Sequence, residues 1–152
     1  MSASQRLRDL GIELPEVVTP AGAYVPATRS GSLVFTAGQL PVVAGRLVAT
    51  GKVGADVDAG EAAGLARTCA LNALAAVHSL VGIDAVQRVV KVTGFVASAP
   101  GFVDQPAVID GASALFGEVF LDDGRHARSA VGVAELPKNA PVELEIVVEV
   151  SP

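Results

Sequence analysis

Two alternating stretches near the C-terminal end constrain the fold more than anything else in the chain. In the first, Arg128, Ala130, Gly132 and Ala134 alternate with Ser129, Val131 and Val133. In the second, Val142, Leu144, Ile146, Val148 and Val150 alternate with Glu143, Glu145, Val147 and Glu149. Period two over this length means strands with one face on an apolar core. A short Pro-bounded turn lies between them and predicts a hairpin about Lys138–Ala140. The face turned from the core then offers an arginine, a row of small residues and several carboxylates, and chemistry is expected there. The hairpin also sets Arg128 and Glu143 about seven residues out of register, roughly 20–25 Å apart. One chain cannot bring both to one small ligand. Two chains can, if the small-residue face of Ala130, Gly132 and Ala134 meets the sheet of another subunit.

Composition narrows the partners. The net charge is −5 and no Lys/Arg stripe with interleaved aromatics is present, so nucleic-acid binding is not expected. Apolar residues make up 51% of the chain, mostly Ala, Val and Leu, with no Trp; disorder is excluded and thin, closely approaching layers are favoured. Cys69 is the only cysteine, which leaves no intrachain disulfide and no zinc cluster, and its place on an apolar helix face reads as a small buried hydrophobe. The first residues lack the apolar core of a secretory signal. The longest stretch without formal charge, Thr68 to Ile83, is shorter than the roughly 20 residues of a spanning helix. The expectation is a soluble, cytoplasmic protein that does not engage a membrane.

The chain reads as one domain over residues 1–152, long enough for a proper core. Residues 1–20 form an N-terminal extension, with a short helix from Ser2 to Leu10 and a proline-bearing linker. A strand from Ala23 to Thr28, a tight turn at Arg29–Ser32 and a strand from Leu33 to Gly38 follow, then a short third strand at Leu47–Ala49. Asp58 is the N-cap of a long helix with Glu61 three residues on. Its polar stripe is Glu61, Gly64, Thr68, Asn72 and Ser79, with His78 solvated at the stripe's edge, and Gly82 stops it. Val89–Ala97 is apolar at nearly every position, hence a central strand. A second helix starts near Asp104, with Pro106 tolerated in its first turn. Gly111 inside that helix costs about 1 kcal/mol relative to Ala and marks a close approach to the sheet. The order βββαβαββ gives an α+β fold of two layers, a mixed sheet with two helices on one face. The other face needs cover.

Several separated stretches resemble the reactive-intermediate deaminase (Rid, or YjgF-like) family. They are Gly22-Ala-Tyr24, Ala37-Gly38-Gln39-Leu40-Pro41, Ala127-Arg128-Ser129, Glu135-Leu136-Pro137-Lys138 and Val142-Glu143-Leu-Glu145. The resemblance runs from about Pro20 to Val150. It implies a chorismate-mutase-like homotrimer with ligand clefts between subunits, and hydrolysis of enamine or imine intermediates of the 2-aminoacrylate kind to 2-oxo acids and ammonia. It further implies that Arg128 clamps the substrate carboxylate in a bidentate grip and that Glu143 orders the attacking water and shuttles a proton. Tyr24 would lie along the ligand, and the backbone at Gly38 would bond it at close range. Imine hydrolysis has a modest barrier, so no metal and no cofactor is implied. Two departures stand out. Ala130 sits where relatives carry a cysteine, and the asparagine that relatives carry in the second helix is replaced, with Ser113 its nearest counterpart. His126, two residues before the arginine on the same face, makes no metal site with the distant His78.

A non-catalytic trimeric module that binds small carboxylates through the same cleft accounts for the same residues. Ribonuclease activity, attached to some relatives of the family, is opposed by the acidic balance.

Overall fold

The computed structural model describes all 152 residues. Its five-stranded sheet is built around the apolar strand β5 (Val86–Ala97), which is flanked on both sides as its composition requires. One neighbour is the parallel edge strand β6 (Ala127–Val133), the other the antiparallel β7 (Val142–Val150). Beyond β7 lies the hairpin of β1 (Ala27–Ser30) and β2 (Leu33–Thr36), completing the order β1-β2-β7-β5-β6. β6 and β7 therefore do not form the expected hairpin. The chain leaves β6, crosses over the C-terminal end of β5 and descends on its far side. Residues Pro137–Asn139 form a single tight helical turn on that crossing, with Lys138 and Asn139 both at positive φ. The crossing is fastened by the Ser98 amide on the Val133 carbonyl, 3.1 Å, and the Ala97 amide on the Pro141 carbonyl, 2.9 Å.

The N-terminal region also departs from expectation. Tyr24 lies in a bend before β1, not in a strand, and the first hairpin turns at Gly31–Ser32. Leu47 belongs to a separate ribbon of β3 (Val42–Val43) and β4 (Arg46–Leu47), outside the main sheet. Helix α1 (Ala3–Asp9) forms as read, with Ser2 as its N-cap. It docks through buried Leu7 and through Arg6, whose Nε donates to the Glu118 carbonyl at 2.8 Å.

Two long helices, α2 (Ala59–Val81) and α3 (Gln105–Phe120), cover one face of the sheet. Asp58 caps α2, accepting the Glu61 amide at 2.8 Å, and Gly82 ends it at φ 81°. Asp104 precedes α3 without making a side-chain cap. By length and composition α2 could cross a membrane, but more than half of its most apolar window is buried inside the fold, where it is the core helix. Leu65, Ala66, Cys69, Ala73 and Val77 of α2 meet Ile109, Leu115 and Phe116 of α3 and Val92, Leu144 and Ile146 of the sheet in one cluster. Each fully buried Leu, Ile or Phe contributes about 1.5–3 kcal/mol of apolar transfer. Small residues set the spacing between layers. Gly94 of β5 leaves room for Ile109, and Gly111 of α3 lies directly against the Ala63 carbonyl of α2. The close approach at Gly111 is thus between the helices, not onto the sheet.

Candidate functional site

The expected site residues fall into two groups on opposite sides of the sheet. Residues paired across neighbouring strands share a face. Arg128 pairs with Val92, which pairs with Ile146, so Arg128 points to the helix side. Glu143 pairs with Phe95, which pairs with Val131, on the bare side. The arginine and the small residues Ala130 and Gly132 therefore face the helices, and the carboxylates face away from them. The registers of β6 and β7 on the intervening β5, not a direct pairing of the two strands, set these faces. With two strand spacings across and three residues along, the two Cα atoms are roughly 14 Å apart, closer than the hairpin estimate, but their side chains diverge.

Tyr24, Gly38 and Glu143 come together at one mouth. They line a cavity of about 140 Å³ with Gln39, Pro137 and Lys138. That is well below the roughly 300 Å³ at which ordinary ligand pockets begin. The loop through Gly38 is pinned to β7, because the Gln39 amide donates to the Leu144 carbonyl (2.8 Å) and the Leu144 amide to the Gln39 carbonyl (3.0 Å). Asn72, read as part of a solvated stripe, is in fact buried. Its Nδ2 donates to the Leu40 and Val42 carbonyls, both at 3.0 Å, and fixes the far end of the same loop. Gly38 brings its backbone close to the Glu143 carboxylate, which a side chain at this position would displace. Burial, and then the nearby Glu145, push the Glu143 carboxyl above the ordinary carboxylate range. A carboxyl so raised holds a proton more readily than a free one, as a proton-transfer role requires. Tyr24 is half exposed, and its hydroxyl accepts only a long bond from the Ala21 amide, 3.4 Å, so it is free to donate to a ligand.

Arg128 and Ser113 form the second group, on the edge strand and α3. Arg128 Nη1 donates to Asp110 Oδ1 at 2.7 Å and to Ser113 Oγ at 3.2 Å, and Nη2 reaches the Pro106 carbonyl at 3.4 Å. The guanidinium is thus held against α3, while Asp110 remains largely exposed. His126 joins this group through Ser113 Oγ, 2.9 Å from its Nε2. Asp110 was missed in the sequence, and it, not Ser113, makes the shortest contact with the arginine. The available signal was its spacing: three residues apart on a helix, Asp110 and Ser113 share a face. His78 is exposed, and its Nδ1 accepts the Ile83 amide at 3.1 Å. Cys69 is buried, and burial pushes its thiol well above its ordinary range. No three side chains of His, Cys, Asp or Glu gather as a metal site would need.

The family model described as YjgF/chorismate mutase-like, a description that also names endoribonuclease, matches residues 4–150. The chain belongs to this family. The YjgF-like architecture and the resemblance carried by the Ala127–Ser129 and Glu135–Lys138 stretches agree. Among its relatives, protein TCP17 of Trypanosoma cruzi is 44% identical over 149 residues, 95% of this chain and 92% of that one. A 2-iminobutanoate/2-iminopropanoate deaminase of Dermatophagoides farinae is 34% identical over 139 residues, 90% of this chain and 93% of that one. The crystal structure of Atu1372 from Agrobacterium tumefaciens, a protein of unknown function, superposes with a TM-score of 0.90 at 46% identity, covering 98% of this chain and 92% of that one. Within the family, then, one relative of moderate identity is named a deaminase, while a more similar solved structure is described as having no known function.

Proposed function

We propose that this YjgF-like protein hydrolyses enamine or imine intermediates of the 2-aminoacrylate kind to 2-oxo acids and ammonia, in clefts between the subunits of a homotrimer in the cytoplasm. The observation that carries the reading is the division of the site. Arg128 with Asp110 and Ser113 lies on the helix side of an edge strand, and Tyr24, Gly38 and Glu143 lie in a half-sized cavity on the other side. Each group is an incomplete site alone, and the edge of one subunit set against the bare face of the next makes one whole. That bare face carries exposed Phe35 and Val131, which such an arrangement would cover. The named deaminase relative supports the chemistry.

In this reading Arg128 holds the substrate carboxylate. A proton from solvent adds to the enamine carbon and gives the iminium ion, the protonated imine. Glu143 of the neighbouring subunit takes a proton from water as the oxygen bonds to the imine carbon. The same carboxyl then returns that proton to nitrogen, and as the carbon–nitrogen bond breaks to release ammonia the hydroxyl proton passes to solvent, leaving the 2-oxo acid. Ammonia release from enzymatically generated 2-aminoacrylate tests the proposal. It is expected in the native protein and lost in Arg128→Ala. Calorimetric binding of 2-oxo acids without any turnover would instead assign the cleft to binding alone.

A further inference from the structure

His126 is bound on both ring nitrogens, and the chemistry of its partners fixes the tautomer of its neutral ring. Its Nδ1 lies 2.7 Å from the Gly124 carbonyl, which can only accept, so Nδ1 carries the hydrogen. In the neutral ring Nε2 is then an acceptor, and the Ser113 hydroxyl donates to it at 2.9 Å. With its hydrogen committed, Ser113 Oγ turns lone pairs toward Arg128 Nη1, 3.2 Å away. The ring itself is set edge-on to Phe116, with centroids 5.7 Å apart at 87°. One chain of donors thus runs from Arg128 through Ser113 and His126 to the backbone of the turn before β6. The charged groups around it are Arg128 on β6, the strand that follows it, Asp110 on α3, and the exposed Asp122–Arg125 pair in the turn that supplies the Gly124 carbonyl.

We propose that His126 is a positioning residue that fixes the Arg128 guanidinium through Ser113, so that Ser113 serves the arginine rather than the ligand. Asp110 is an exposed carboxylate and the Pro106 carbonyl lies at a long 3.4 Å, so the anchor at Ser113 restricts the guanidinium further. The role of Arg128 as anion clamp rests on the function proposed above, but the relay itself is testable without it. Protonating Nε2 turns it from acceptor to donor. Ser113 Oγ must then accept from both cations, and the environment of Arg128 changes.

Nitrogen-15 NMR of the native protein tests the relay directly. Neutral His126 is expected as the Nδ1–H tautomer, and the Arg128 Nε–H resonance is expected to move with the titration of His126. In His126→Gln, whose side-chain oxygen can still accept from Ser113, that movement disappears. An Nε2–H tautomer, or an Arg128 signal indifferent to His126, overturns the relay whether or not the protein is a deaminase. Where turnover is found, His126→Phe keeps the aromatic packing but not the acceptor. It is expected to raise KM about fivefold with little change in kcat, and His126→Gln to restore most of the loss. Unchanged KM in folded His126→Phe, or equal losses in both variants, refutes the positioning role while leaving the proposed reaction standing.

Discussion

Arg128 and Asp110 form an ion pair, 2.7 Å from Nη1 to Oδ1, that ties the edge strand β6 to the exposed side of α3. The pair bears on ligand binding, because any carboxylate that Arg128 is to hold must compete with the carboxylate it already has. An exposed pair of this kind contributes about 0.2–1 kcal/mol. Asp110→Asn should therefore tighten calorimetric binding of a 2-oxo acid, by about two- to fivefold. Weaker or unchanged binding would show that Arg128 is not the clamp.

The proposed division of the site between subunits predicts complementation. Arg128→Ala and Glu143→Gln should each be inactive alone. When the two are unfolded together and refolded in equal amounts, a cleft is whole when a Glu143→Gln subunit supplies Arg128 and an Arg128→Ala subunit supplies Glu143. Random assembly makes roughly one quarter of the clefts whole, so about that fraction of native activity should return. A refolded mixture as dead as its components would place both groups in one subunit's site or in none.

Glu143 links function to stability. Its carboxyl is raised by burial first and by Glu145 second. A group raised in the folded state binds its proton more tightly there than in the unfolded chain. The stability it contributes is present below the unfolded value and lost as pH rises through the folded one. At neutral pH the ionised carboxylate weighs against the fold. Glu143→Gln should therefore melt at a higher temperature than the native protein at pH 7, and the gain should vanish below about pH 4, under the ordinary Glu value. Thermal unfolding at the two pH values checks the sign.

Gly111 separates helix propensity from packing. Propensity alone predicts that Gly111→Ala gains about 1 kcal/mol. The added methyl, however, would run into the Ala63 backbone carbonyl, which cannot yield without moving α2. Overpacking of this kind costs about 1–3 kcal/mol, so the variant should be less stable, with a melting temperature lower by about 2–4 °C for each kcal/mol lost. A melting temperature above the native value would mean that the helices part without cost.

Much of the fold was legible in the order of residues. Asp58 and Gly82 bound α2 as read, and Val89–Ala97, apolar at nearly every position, became a strand with a partner on each side. For the candidate site, the sequence named residues that the fold brings together but not how it arranges them. Tyr24, Gly38 and Glu143 do meet at one cavity, and Arg128 and Ser113 do touch. Asn72 was misread because one polar residue on a helix looks the same whether it faces water or caps a buried loop. Asp110 escaped notice because an exposed acid on a helix is ordinary until an arginine is found beside it.

The sequence by itself determined which residues share a face within each strand and helix, because side-chain direction repeats every 2 residues in one and every 3.6 in the other. It could not determine which strand lies beside which. Alternation along β6 and β7 is satisfied equally by a hairpin and by two strands with β5 between them. The tertiary structure decided for the second, in which β5 finds backbone partners on both edges. The registers of β6 and β7 on β5 then turned Arg128 toward the helices and Glu143 away from them.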